Sequence, residues 1–347
     1  MLYKPICKAC VGEHVSADES NVHKVVKFQK RKPNPLYPGS KLHGKDSILY
    51  LRVNDCCMKS EQPIQEAVIL PPVTQFLHKA KIVSTIKIDF PFLFGPYFVA
   101  YLNDDKIWTG GAEDKMYIFS VNQSKLLRSV QTTSRKRPGG IAVTKHGDLV
   151  YTDPNDKRIN TVKDETTDAI TLENWRPFGV CTTSCGDLLV IMHSEKDERL
   201  KVVRYSGSTE KQTILLKERT SIYEHPVHNQ YCISENKNLD ICVVDINDKS
   251  VIVINQAGKL RFTYRGQTPS PKGYPFNPKG ITTDSRSQIL TADYDNDCVH
   301  IINQDGKFLC FINRGLRHPF GLCIDTNDNL FVSEMRYNQV KKIKYQH

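Results

Sequence analysis

Pro278-Lys279-Gly280-Ile281, followed after a polar turn by the apolar run Ile289-Leu290-Thr291-Ala292-Asp293, is a phrase the chain repeats. Pro138-Gly139-Gly140-Ile141 leads in the same way to a run ending in Asp153. Pro177-Phe178-Gly179-Val180 leads to a run ending in His193, and Pro319-Phe320-Gly321-Leu322 to one ending in Glu334. A further copy, Gln230 to Asp245, keeps the register with Cys232 where the glycine should be. Repeats about 40 residues apart, each built of short β-rich segments, define a propeller of four-stranded blades.

Working outward from that phrase, five blades fall at 98–130, 140–172, 179–216, 231–264 and 280–312. A sixth, at 321–344, has only three strands. The missing strand lies at the other end of the repeat region. In Ile82-Val83-Ser84-Thr85-Ile86-Lys87-Ile88-Asp89-Phe90 the even positions are mostly apolar and the odd ones mostly polar, the period of a half-buried strand. Pairing it with the last blade closes the ring and removes two exposed sheet edges. The expected fold is therefore all-β, a six-bladed β-propeller over 82–347, behind a small N-terminal segment at 1–32 and a proline-punctuated linker at 33–81.

Composition narrows the class. No stretch reaches the roughly 20 apolar residues that a membrane helix needs. The N-terminus MLYKPICKAC lacks the apolar core of an export signal, so a cytoplasmic chain with reduced thiols is expected for its eleven cysteines. The net charge of +10 is concentrated toward the N-terminus, notably in KVVKFQKRK at 24–32, and is read as a solvated surface. No heptad run supports a coiled coil.

The blade phrases Ile141-Ala142-Val143-Thr144 with Gly147-Asp148-Leu149-Val150-Tyr151-Thr152-Asp153, and Gly280-Ile281-Thr282-Thr283-Asp284 with Leu290-Thr291-Ala292-Asp293, resemble NHL repeats. Cys7-Lys8-Ala9-Cys10 with His14 and His23 resembles the second half of a B-box. Together they resemble a tripartite-motif protein of the TRIM-NHL kind, mollusc-type, over residues 1–30 and 82–347. The resemblance implies zinc on Cys7, Cys10, His14 and His23, an incomplete site here, and a propeller that recruits substrates for ubiquitination. The chain departs from the pattern in having no RING finger, no complete B-box and no coiled coil; within the linker at 33–81, Pro38-Gly39-Ser40 with His43 and Cys56-Cys57 resemble degenerate remnants of a second B-box, without ligand spacing. Its sole CxxC is Cys7-Cys10, so ligase catalysis is not carried over and no enzyme activity is expected.

The acidic residues ending the second strands recur blade after blade, which favours carboxylates accepting backbone N–H groups over a singular catalytic constellation. The loops entering each blade hold a more distinctive set: Arg135, Lys136 and Arg137; Trp175 and Arg176; Lys272, Tyr274, Phe276 and Lys279; Arg314, Arg317, His318 and Phe320. Topology puts these loops on one face. Basic and aromatic side chains together suit a protein interface, the leading expectation, because Arg, Trp and Tyr dominate hot spots. They also suit single-stranded RNA, the alternative, through phosphate contacts and base stacking. A propeller hydrolase is the third reading. No membrane partner is expected.

Overall fold

Five of the second strands are buried at every position: Leu149–Asp153, Leu188–Ser194, Ile241–Asp245, Ile289–Asp293 and Leu330–Glu334. A strand covered on both faces reads as a continuous apolar run, as these do. The covering comes from the neighbouring blades. A computed structural model of the chain describes residues 26–30, 49–53, 80–88, 95–164, 166–194, 196, 199–217 and 231–345. Within them lie six antiparallel four-stranded sheets, at 98–131, 140–171, 175–217, 231–264, 278–312, and 319–344 completed by 81–87. The chain divides into two units, Met1–Val73 and Thr74–His347, and the six-bladed propeller belongs to the second. In the first, Val26–Lys30 pairs antiparallel with Leu49–Val53.

Six hydrophobic clusters hold the ring, one between each pair of adjacent blades. Ile141 and Leu149 of blade two pack with Trp108 and Met116 of blade one, for example, and Leu322 and Val332 of blade six with Ile301 and Ile312 of blade five. The outer strands of blades one and two carry little of this load: Lys125–Gln131 and Thr166–Thr171 are exposed along nearly their whole length.

Closure follows the expected route. Lys81–Lys87 pairs antiparallel with Gln339–Lys344, with Ile86 opposite Val340 and Ile82 opposite Ile343. Ile86 and Ile88 are fully buried against Phe331, Val340 and Ile107, which joins blade six to blade one. Ile82 is half-buried, and Phe90 lies outside the described residues.

The glycine of the repeated phrase has a steric cause. A Cβ on Gly280 would run into the carbonyl oxygen of Phe320, and one on Gly321 into that of Tyr97. The inner strands converge there, and only glycine allows backbones so close. Among the described residues no helix is long and apolar enough to cross a membrane.

Candidate functional site

The repeated carboxylates are structural. Asp153 Oδ1 accepts the backbone N–H groups of Asn155 and Asp156, both at 3.1 Å, while Oδ2 accepts that of Ser134 at 3.1 Å from the loop entering blade two. Asp245 takes Asn247 and Asp248 in the same way at 3.1 Å, and Asp293 takes Asn277 at 3.1 Å. Glu334 takes Arg317 at 2.6 Å. Each acid accepts backbone N–H groups of the turn that follows it, of the loop entering its blade, or of both, which is the satisfaction buried charge requires. Blade three departs from the expected register. Thr182 pairs with Leu188 as Thr283 pairs with Ile289, so Met192 takes the acid's place and His193 falls one residue beyond it. The second strand there is longer, Leu188–Ser194, and its apolar run hides the stop.

Two of these acids have buried partners that the sequence reading missed. In blade five, Tyr264 Oη lies 2.7 Å from His300 Nδ1, and His300 Nε2 lies 3.0 Å from Asp293 Oδ2. Burial holds the imidazole below its usual pKa, against the opposing hydrogen bond and charge of Asp293. In blade six, Lys341 Nζ lies 2.8 Å from Glu334 Oε2 and 2.9 Å from Oε1. Both partners stand at the same offset from their acid, Asp293 to His300 and Glu334 to Lys341, which was the available signal. Asp293, Cys298 and His300 also bring their ligand atoms within 4.8 Å of one another and could hold a metal ion. The donor set, one carboxylate, one thiol and one imidazole, suits a borderline divalent ion. Each Asp293 oxygen and each His300 nitrogen already has a hydrogen-bond partner within the protein. The expected ligands Cys7, Cys10, His14 and His23 lie outside the described residues.

The loops entering the blades carry the expected basic and aromatic residues, in unequal states. Arg135, Lys136, Arg314 and Arg317 are exposed. Tyr274 is 57% exposed, while Lys272 is tied to Asp297 in an ion pair. Arg176 Nε donates to the Pro154 carbonyl at 3.1 Å. Trp175 is half-buried with Lys201 Nζ 4.1 Å from its ring centre. Phe276 packs against His300, centroids 4.8 Å apart. Phe320 is 6% exposed, 5.0 Å from the Tyr97 ring. The Arg137 guanidinium lies 5.4 Å over Tyr97, and that of Arg317 lies 5.4 Å over Tyr337. The structure thus gathers Arg137, Lys279 and Phe320 with Tyr97 and Tyr294. It leaves Trp175 and Phe276 covered.

The central channel is narrow toward these loops. There the glycines and a ring formed by Val99, Ile141, Val180, Ile233, Ile281 and Leu322 line a cavity of about 70 Å³. At its opposite end it widens to about 600 Å³, with Thr182, Ser184, Glu235 and Thr283 among its lining. These polar groups stitch blades together: Glu235 takes Arg204 Nη2 at 2.8 Å and the Ser184 N–H at 2.8 Å, and Thr283 donates to the Glu235 carbonyl at 2.8 Å.

No family model matches the chain, and no curated protein is similar to it in sequence. Solved structures are similar in fold. A virginiamycin B lyase from Staphylococcus aureus superposes with a TM-score of 0.54 at 13% identity, over 77% of this chain and 100% of that one. A gluconolactonase from Xanthomonas campestris gives 0.56 at 12% identity, over 79% and 92%. The Cps50 (Swd1) β-propeller domain of Myceliophteria thermophila gives 0.52 at 8% identity, over 73% and 84%. The expectation of no enzyme activity is corrected by the first two. Enzymes share this architecture, so an absence of catalysis does not follow from the chain being a propeller with repeated structural acids.

Proposed function

We propose that the propeller is a recognition platform whose loop-bearing face captures a protein partner, in a chain of the TRIM-NHL kind. On that reading, capture serves substrate recruitment for ubiquitination in relatives that carry a RING. The observation that carries it is the split between cations and rings on that face. Arg135, Lys136, Arg314 and Arg317 reach solvent, whereas Phe276 and Phe320 are buried and Trp175 is half-buried with Lys201 over its ring. A single-stranded nucleic acid draws about 1–3 kcal/mol per base from open rings, and of Trp175, Tyr274, Phe276 and Phe320 only Tyr274 is mostly exposed, which leaves a strand little to stack on beyond its phosphate contacts. A protein interface uses exposed arginines and isolated tyrosines such as Tyr274 directly.

The experiment is capture from a cell lysate by the full chain, with and without nuclease, compared with an Arg135→Glu, Lys136→Glu, Arg314→Glu variant. A protein captured through nuclease treatment and lost by the variant is the expected result. Recovery of nucleic acid alone would overturn the reading. On the same reading Cys7, Cys10, His14 and His23 form part of a zinc-binding segment. Metal analysis of the purified chain should find about one zinc that a chelator removes without unfolding the propeller; a chain free of zinc would sink that part.

A further inference from the structure

Six equivalent positions, each two residues before the apolar ring of the channel, share one level at the mouth: Tyr97, Gly139, Phe178, Tyr231, Lys279 and Phe320. Phe178, Tyr231 and Phe320 are buried there, and Tyr97 is half-buried. Blade five puts an ammonium group where four other blades put a ring. Lys279 Nζ is half-buried, 5.9 Å from the Tyr294 ring centre and 6.0 Å from that of Phe320. It forms no ion pair with any described carboxylate, and the acids of its own blade are engaged elsewhere. Asp295 Oδ2 accepts from Asn277 Nδ2 at 2.8 Å, Asp297 pairs with Lys272, and Asp293 is bound to Asn296 and His300. Burial holds the Lys279 ammonium below its usual pKa, with Asp295 opposing from a distance.

A cation withdrawn from water gains from any anion brought to it, because the desolvation cost has already been met in the fold. Beyond Phe320 the floor continues into Tyr97, and Arg137 lies over that ring. The two cations therefore flank an apolar floor. No open ring face remains there for a base, since Phe320 is buried and Arg137 covers Tyr97.

We propose that this mouth seats an acidic side chain of the captured protein, with Lys279 as the anchoring cation. The inference rests on the recognition reading above and names the chemistry of its partner.

The probe is blocked tetraglutamate, with blocked tetraglutamine as its uncharged twin, titrated calorimetrically into the full chain. Tetraglutamate should bind and tetraglutamine should not. Lys279→Met should weaken tetraglutamate at least about tenfold, as expected when one partner of a desolvated charge pair is removed. Lys279→Arg should retain most of the affinity, and Lys145→Met, on the opposite face, should leave it unchanged. On the unaltered chain, saturating tetraglutamate should slow acetylation of Lys279 and not of Lys145, read by mass spectrometry. That arm holds whether or not Lys279→Met folds. Equal loss from Lys145→Met, undiminished binding by Lys279→Met, or unprotected Lys279 would overturn the proposal. So would an oligouridylate that binds through Lys279 and is not displaced by tetraglutamate. If a protein is captured but Lys279→Met does not affect it, this proposal alone fails. If tetraglutamate binds through Lys279 and no protein is ever captured, the recognition reading alone fails.

Discussion

Lys341 and Glu334 form an ion pair at 2.8 Å in which the carboxylate side chain is fully buried and the lysine side chain is 10% exposed. The ammonium also donates to the Gly315 carbonyl, so the pair ties the third strand of blade six to the loop that enters the blade. Removing one member strands the other. Lys341→Met is expected to cost about 3–5 kcal/mol in urea denaturation, and the double variant with Glu334→Gln should recover part of it. Lys163→Met, whose partner Asp168 is exposed, should change stability by about 1 kcal/mol or less.

Closure of the ring is testable in the same assay. Ile86 is fully buried between blades six and one, whereas Val83 in the same strand is 54% exposed. Ile86→Ala should destabilise by about 2–5 kcal/mol and Val83→Ala by about 0.5 or less. Equal effects would mean that the strand does not latch the ring.

The Tyr264–His300–Asp293 relay predicts a pH dependence of known sign. Burial depresses the folded-state pKa of His300 below the unfolded value of about 6.5. Between those two values the unfolded chain binds the extra proton, so stability is complete above pH ~6.5 and declines as pH falls below it. His300→Gln should flatten that acid slope while lowering stability at pH 7 through the lost hydrogen bonds. An unchanged slope would show that other groups set it.

Thiol chemistry should single out one cysteine among those described. Cys185 is exposed, 3.3 Å from Asp187 Oδ2 and 3.8 Å from Arg204 Nη1. Burial pushes the Cys181 and Cys232 thiols up to about 12, which leaves almost no thiolate at neutral pH. Iodoacetamide should label Cys185 first in the native chain, with the other two reacting only on unfolding. Rapid native labelling of Cys232 would contradict its packing against the apolar cluster between blades four and five.

Blade number, blade boundaries and the closing strand were legible because they depend on local period: alternation at 82–90 and a glycine in four of the six blades where inner strands converge. The structural role of Asp153, Asp245, Asp293 and Glu334 was legible from repetition. Exposure was not. Whether Trp175 or Phe320 is open depends on Lys201 and Tyr97, which come from distant strands, and no local pattern reports that packing. The register slip at His193 arose because the apolar run of blade three continues past the point where other blades turn. Lys279 was grouped with the other basic residues, although its singularity shows only when six equivalent positions are set side by side. An absence of catalysis was inferred from repetition, which bears on the repeated acids and says nothing of the channel.

The pairing of Lys81–Lys87 with Gln339–Lys344 has a consequence for the order of events in the cell. The first strand of the propeller emerges from the ribosome long before its partner exists, and its buried edge must wait for nearly the whole unit to be synthesised. During translation the nascent ring is open at both ends, with Ile86 and Ile88 on one side and the unfinished sixth blade on the other. Native closure is therefore a late event, and until it occurs Ile86 and Ile88 have no blade to bury them.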